Sequence, residues 1–102
     1  MVKYNQEDIE KSAFLTIRFI IVKLIYKCKS NANRCIESRE TSKVFMWVLL
    51  KKEFEALLTY YDEENKINQE YLIKLYDNIY ESDTTEINLV LMRRIIKLIE
   101  IT

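Results

Sequence analysis

The chain has 102 residues, 49% of them hydrophobic, with sixteen Lys/Arg against sixteen Asp/Glu and a formal net charge of zero. That length supports one domain with its own core, and the apolar fraction is too high for a disordered chain. Glycine, proline and histidine are all absent. Phosphate-cradling glycine loops and the G-x-S-x-G elbow are therefore excluded, as are histidine general bases and histidine zinc ligands. No cofactor or metal is expected and no enzyme chemistry is indicated. Without glycine, asparagine is the residue expected at left-handed turn positions.

The zero net charge hides a split. Residues 1–52 hold eleven Lys/Arg and five Asp/Glu, a balance of +6, and residues 53–102 reverse it to −6. No segment reaches the roughly 18 clean apolar residues of a membrane span, because Ala13–Tyr26 is interrupted by Arg18 and Lys23. Glu7, Asp8 and Glu10 occupy the place of a basic signal-peptide region, so an intracellular protein is expected, with no membrane partner.

In chain order, Asn5 with Gln6, Glu7 and Asp8 reads as a cap and an acidic first turn. The first helix is expected to run to about Lys29. Its middle, Phe14–Tyr26, admits a strand reading, but Ser12, Thr16, Lys23 and Lys27 share a helical face and no strict alternation spans the run. Ser30–Arg34, small and polar, reads as a loop. Glu37–Thr41 then offers caps for a central helix, Glu40 to Tyr61. Within that helix Val44–Leu50 is the longest uninterrupted apolar run, and Trp47, Leu50, Phe54, Leu57 and Tyr61 repeat at steps of three and four. Phe45, Met46 and Leu49 widen the stripe, so cover on more than one side is expected.

Asp62-Glu63-Glu64-Asn65 would sit badly at a helix C-terminus and reads as a turn. Asn68-Gln69-Glu70 opens a third helix on the face Leu72, Leu75, Tyr76, Ile79. Asp83-Thr84-Thr85-Glu86 has capping-box spacing and opens a fourth through Ile87, Leu91, Ile95 and Leu98. The expected fold is all-α: a single helical domain, 1–102, of two helical hairpins, about 5–61 and about 68–101. Asn5-Gln6-Glu7 recurs as Asn68-Gln69-Glu70, and Glu37-Ser38-x-x-Thr41 as Glu81-Ser82-x-x-Thr85. These repeats fit either an internal duplication about a rough two-fold or independent capping solutions.

Cys28 and Cys35 flank the expected loop. As metal ligands they are too few, and as a disulfide they need the chain to turn back after Lys29. Otherwise one is a buried thiol and the other a spectator. Asp62, Glu63 and Glu64, near Glu53 and Glu55, lack the spacing and glycine of a calcium loop and read as solvated. The basic residues Lys23, Lys27, Lys29, Arg34, Arg39, Lys43, Lys51 and Lys52 crowd into 23–52 and offer a nucleic-acid surface. They equally offer partners for the acidic half of a second copy. Of the seven tyrosines, Tyr71 and Tyr80 margin the apolar face of the third helix with Tyr76 nearer its centre, and Tyr60 and Tyr61 close the central one. Tyrosine belongs both at core edges and on partner surfaces.

The composition, rich in Ile, Lys, Glu and Tyr without Gly, Pro or His, resembles that of the small orphan proteins of viruses infecting hyperthermophilic archaea, such as the Acidianus filamentous viruses. The resemblance covers the whole chain and carries no motif or catalytic residue. It implies residence in the host cytoplasm, charge pairs as thermal stabilisers, and tolerance of an intracellular disulfide between Cys28 and Cys35. The expected function is a non-enzymatic protein–protein interaction module. It binds a peptide or protein segment in a groove between the two helical motifs, walled by Tyr60, Tyr61, Tyr71, Tyr76 and Tyr80. The alternative is nucleic-acid binding through the basic segment 23–52.

Overall fold

The structure, a computed structural model, describes the backbone of residues 6–81 and 85–100 and the side chains of Ala13 and of residues 16–81 and 85–100. The proposed cap Asn5 and the residues Ser82, Asp83, Thr84 and Ile101 lie outside the described residues. Four helices follow in order: α1, Gln6–Glu37; α2, Thr41–Glu64; α3, Gln69–Tyr80; and α4, Leu89–Glu100. Among the described residues there is no strand, and the Ile/Val-rich stretch Phe14–Tyr26 is helical.

The long hairpin of α1 and α2 is the frame. On α1 the buried residues Ile17, Ile21, Leu24, Cys28, Asn31 and Cys35 step by four and three, and Ala32 is buried beside them. On α2 the buried residues are Trp47, Leu50, Phe54, Leu57 and Tyr61, as the periodicity predicts. A strict three–four repeat on both helices is the pattern by which antiparallel helices interdigitate along one seam. The far end of the seam is closed by the Arg18 fork on Asp62, with Nε 3.1 Å from Oδ1 and a terminal nitrogen 3.4 Å from Oδ2. At ~1.5 Å per residue a helix of this length spans about 48 Å. It sets the long dimension of a molecule measuring 54 × 30 × 19 Å.

The expected loop at Ser30–Arg34 is instead the continuation of α1. Its small residues are there because the seam needs them: Asn31 and Ala32 fall on the buried stripe between Cys28 and Cys35. The chain turns at Ser38–Glu40. The Glu40 N–H donates to the Cys35 carbonyl at 2.8 Å and the Arg39 N–H to the Ile36 carbonyl at 3.1 Å. These are the two bonds of a Schellman stop, and Arg39 takes its left-handed position with φ 60°. Among the described residues the other left-handed position is held by asparagine, Asn65, with φ 58° and its N–H on the Tyr61 carbonyl at 2.8 Å. Arginine at such a position was not foreseen. Nor do Ser38 and Thr41 cap α2: Glu40 stands at its N-cap, its carboxylate taken by Lys43 and Ser38 and not by a backbone N–H, and the Ser38 hydroxyl also turns back on α1.

Two other boundaries and the rotation of one helix differ from expectation. Helix α2 runs past Tyr61 to Glu64, because Asp62 is neutralised by Arg18 while Glu63 and Glu64 stay in water. Helix α4 begins at Leu89, where the Asn88 side chain accepts from the Leu91 N–H at 3.1 Å. Thr85 and Glu86 of the expected capping box are engaged elsewhere, the Thr85 carbonyl by the Trp47 indole N–H and Glu86 by Lys43. Leu91 and Leu98, expected inside, are exposed; Ile96 and Ile99 are buried instead, with Met92 and Ile95 beside them. Contacts from Arg93 to Glu53 and from Tyr60 to the Glu100 carbonyl set that rotation.

Asn68 caps α3 as expected, accepting from the Tyr71 N–H, and its own N–H reaches the Ile99 carbonyl at 2.8 Å. That bond joins the start of α3 to the end of α4. The short hairpin then lies on the long one with α3 against α1 and α4 against α2. Along the α2–α4 line Lys43 pairs with Glu86 and Tyr60 with Glu100, so α4 runs parallel to α2; along the other, Lys23 and Lys27 of α1 meet Tyr76 and Tyr80, and α3 runs parallel to α1. A two-fold relating the hairpins would place equivalent helices diagonally, or side by side and antiparallel. The observed contacts have neither form. With hairpins of 32 and 24 residues against 12 and 12, the duplication is not confirmed.

Helix α2 packs on α1 along one side and on α4 along another, and its outward face stays open. Phe45, Met46 and Leu49, expected under a second layer, are exposed, together with Val48.

Candidate functional site

The five tyrosines expected to wall one groove are dispersed. Tyr61 is in the core at 4% exposure, where burial, reinforced by the Asp62 carboxylate, raises its pKa. Tyr60 donates its hydroxyl to the Glu100 carbonyl at 2.7 Å and anchors the last turn of α4. Tyr71 is half-buried with Lys74 Nζ 5.7 Å from its ring. Only Tyr76 and Tyr80 meet, stacked with centroids 4.9 Å apart and planes at 9°. What they face is α1: Lys23 Nζ lies 4.8 Å from the Tyr80 ring, 5.8 Å from Tyr76 and 5.3 Å from Phe19. Lys27 lies 5.7 Å from Tyr80. The hydrogen bond from Lys23 to Tyr76 raises the lysine pKa and outweighs its partial desolvation. This cluster holds α3 on α1.

The basic residues of segment 23–52 are not gathered either. Lys23 and Lys27 lie on the α3 side of α1, whereas Lys29 and Lys51 line the opposite face of the hairpin. Lys43 sits between Glu40, at 2.8 Å, and Glu86. Lys51 pairs with Glu55 at 3.7 Å, and an Arg34 N–H points at Asn31 Oδ1. Arg39 is at the hairpin tip, and Lys52 is exposed on α2. Of the acidic residues, Glu53 pairs with Arg93 at 3.3 Å and Glu55 with Lys51. Among the described residues no three of Cys, Asp and Glu gather closely enough to hold a metal ion. Cys28 and Cys35 are both buried and both free. Seven helical residues separate their backbones by about 10.5 Å, beyond the reach of a disulfide.

Among the described residues, besides a hollow of about 430 Å³ at the hairpin tip lined by Ile36 and Val44, two apolar surfaces stand out. One is the open side of the long hairpin, a hollow of about 400 Å³ where half-buried Val22, Ile25 and Leu58 meet an exposed Tyr26, with Lys29 and Lys51 at its rim. The other runs along the seam of α2 and α4. The pairs Lys43–Glu86 and Glu53–Arg93 fix the register of these parallel helices. Leu49, one turn before Glu53, is then level with Val90, one turn before Arg93, on the same outward side. Phe45 is 69% exposed and Val90 63%, and Met46 and Leu49 are partly open beside them. Past Val90 a hollow of about 310 Å³ follows α4, bordered by Arg93, Arg94 and Lys97.

Those three cations escape a reading by net charge, because the acidic balance of residues 53–102 masks them. The available signal is spacing: Val90, Arg94 and Lys97 step by four and three on the side opposite the buried Met92, Ile96 and Ile99. No helix is long and apolar enough to cross a membrane among the described residues. Comparison with protein families, curated proteins and solved structures finds nothing that matches this chain.

Proposed function

We propose that the chain is a non-enzymatic protein–protein interaction module that docks a partner's helical segment along the α2–α4 seam, where its two hairpins meet. The observation that carries this reading is the exposure of the most apolar run in the sequence. Four of its seven residues, Phe45, Met46, Val48 and Leu49, face solvent, and Val90 stands level with Leu49 across the seam. Contiguous apolar surface on the order of a few hundred Å² marks contact sites on otherwise polar proteins, since covering it returns ~25 cal/mol per Å². Exposed apolar side chains on two adjacent parallel helices suit the apolar face of an amphipathic helix. The tyrosines enter only as the packing that holds α3 and α4 in place.

The test is a paired comparison in lysate, with infected archaeal cells included on the strength of the compositional resemblance. The double variant Phe45→Ser, Leu49→Ser is expected to keep its helicity and melting temperature and to lose the captured protein. Tyr76→Ala is expected to keep the captured protein at some cost in stability. Capture that survives the double variant and fails with Tyr76→Ala would refute the seam as the site.

A further inference from the structure

We infer that the segment docking on this seam is an acidic amphipathic helix, apolar at one end and carrying Asp or Glu one to two turns further along. The inference rests on the proposed docking function and adds the partner's chemistry. Its basis is the ordering of side chains along the seam. Phe45, Leu49 and Val90 form an apolar head, and the stripe then becomes basic at Arg93, Arg94 and Lys97, with Lys52 exposed on α2. The carboxylate opposite, Glu53, is occupied by Arg93 at 3.3 Å. From Val90 to Lys97 the axial rise is about 10.5 Å, two turns of helix. A partner helix that seats apolar residues on Phe45, Leu49 and Val90 therefore brings its next two turns over Arg94 and Lys97. Carboxylates there meet cations beside a low-dielectric surface, where charge complementarity both speeds encounter and selects the partner.

The experiment uses the full chain and three synthetic helical peptides of about four turns. They share one leucine face and differ only in carrying Glu, Gln or Lys along its flank, and binding is read by fluorescence anisotropy at low and physiological salt. The Glu peptide is expected to bind at least about tenfold more tightly than the Gln peptide, with the advantage shrinking as salt screens it. The Lys peptide should bind least. Arg94→Glu with Lys97→Glu should invert the order, and Phe45→Ser should abolish binding of all three while circular dichroism is unchanged. Equal affinity for the Glu and Gln peptides, lost with Phe45→Ser, overturns the acidic partner but leaves the docking site standing. Binding indifferent to Phe45→Ser, or no binding by any peptide, overturns both. Retention of duplex DNA or of phosphatidylglycerol vesicles through Arg94 and Lys97, without peptide discrimination, assigns the stripe to phosphate and overturns the inference. A homodimer cross-linked through position 45 overturns it in favour of a second copy.

Discussion

Replacing Asn31 by leucine should stabilise this protein. Asn31 is fully buried, at 0% exposure, on the seam stripe of α1 between Cys28 and Cys35. Its Oδ1 receives only a long 3.4 Å contact from an Arg34 N–H, and its Nδ2 has no hydrogen-bond partner. A buried donor left unpaired costs about 1–3 kcal/mol, while the weak bond to Arg34 returns less than ~1 kcal/mol. Leucine has the same branched outline, so the substitution removes the orphan donor and adds apolar contact with little strain. The net expectation for Asn31→Leu is a gain of about 1–2 kcal/mol, after allowing some overpacking. For a domain of this size that is a rise in Tm of roughly 4–8 °C per kcal/mol. Guanidinium and thermal unfolding followed by circular dichroism, with the denaturant slope unchanged, is the assay. Asn31→Ala separates the two contributions, since it removes the orphan but leaves a cavity. A loss of about 1 kcal/mol or more in Asn31→Leu would refute the reasoning, because the amide would then have a partner it misses, such as a bridging water.

Other positions give independent expectations. Trp47→Phe removes the indole N–H that donates to the Thr85 carbonyl at 3.0 Å and leaves space in the core; denaturant unfolding should show a cost of about 2–4 kcal/mol. Glu40 is held below the usual carboxylate range by Lys43 first and then by the Ser38 hydroxyl. A depressed folded-state pKa contributes stability above the unfolded value of about 4.3 that is lost as pH falls through the folded one, so Tm should drop on acidification and Glu40→Gln should flatten that drop. Burial pushes the Cys28 thiol up to about 12. The unfolded thiol ionises near 8.5, so stability should decline as pH rises from about 8.5 towards 12, less steeply in Cys28→Ala. Both buried cysteines should also react with Ellman's reagent only at the rate of unfolding.

The helices and their inner faces were largely legible because each writes a period into the chain. Trp47, Leu50, Phe54, Leu57 and Tyr61 announced the buried stripe of α2, and Asn68 announced the start of α3. Ser30–Arg34 misled because loop composition and a narrow helix seam draw on the same small polar residues. The three–four count from Ile17 through Cys28 to Cys35 was the better guide, since it continues through Asn31 without a break. The outward surface was less legible. A run of seven apolar residues tells that more than one side of a helix is greasy, but not whether a neighbour is long enough to cover it. Here α4 has 12 residues and leaves Phe45 and Leu49 open. The rotation of α4 was fixed by partners far along the chain, Glu53 for Arg93 and Tyr60 for the Glu100 carbonyl, which no local pattern encodes. The surroundings of the tyrosines were hidden for the same reason: Tyr76 and Tyr80 read as a wall until Lys23 and Lys27 are placed against them.

The most direct measurement is a titration of isotope-labelled protein with the Glu-bearing peptide, followed residue by residue in amide and methyl NMR spectra. Docking on the α2–α4 seam requires shifts that saturate together at Phe45–Glu53 and Val90–Lys97, with Tyr76, Tyr80 and Lys23 unmoved. Shifts centred instead on Tyr71–Tyr80 or on Lys23–Lys29, or a spectrum unchanged at saturating peptide, would contradict it.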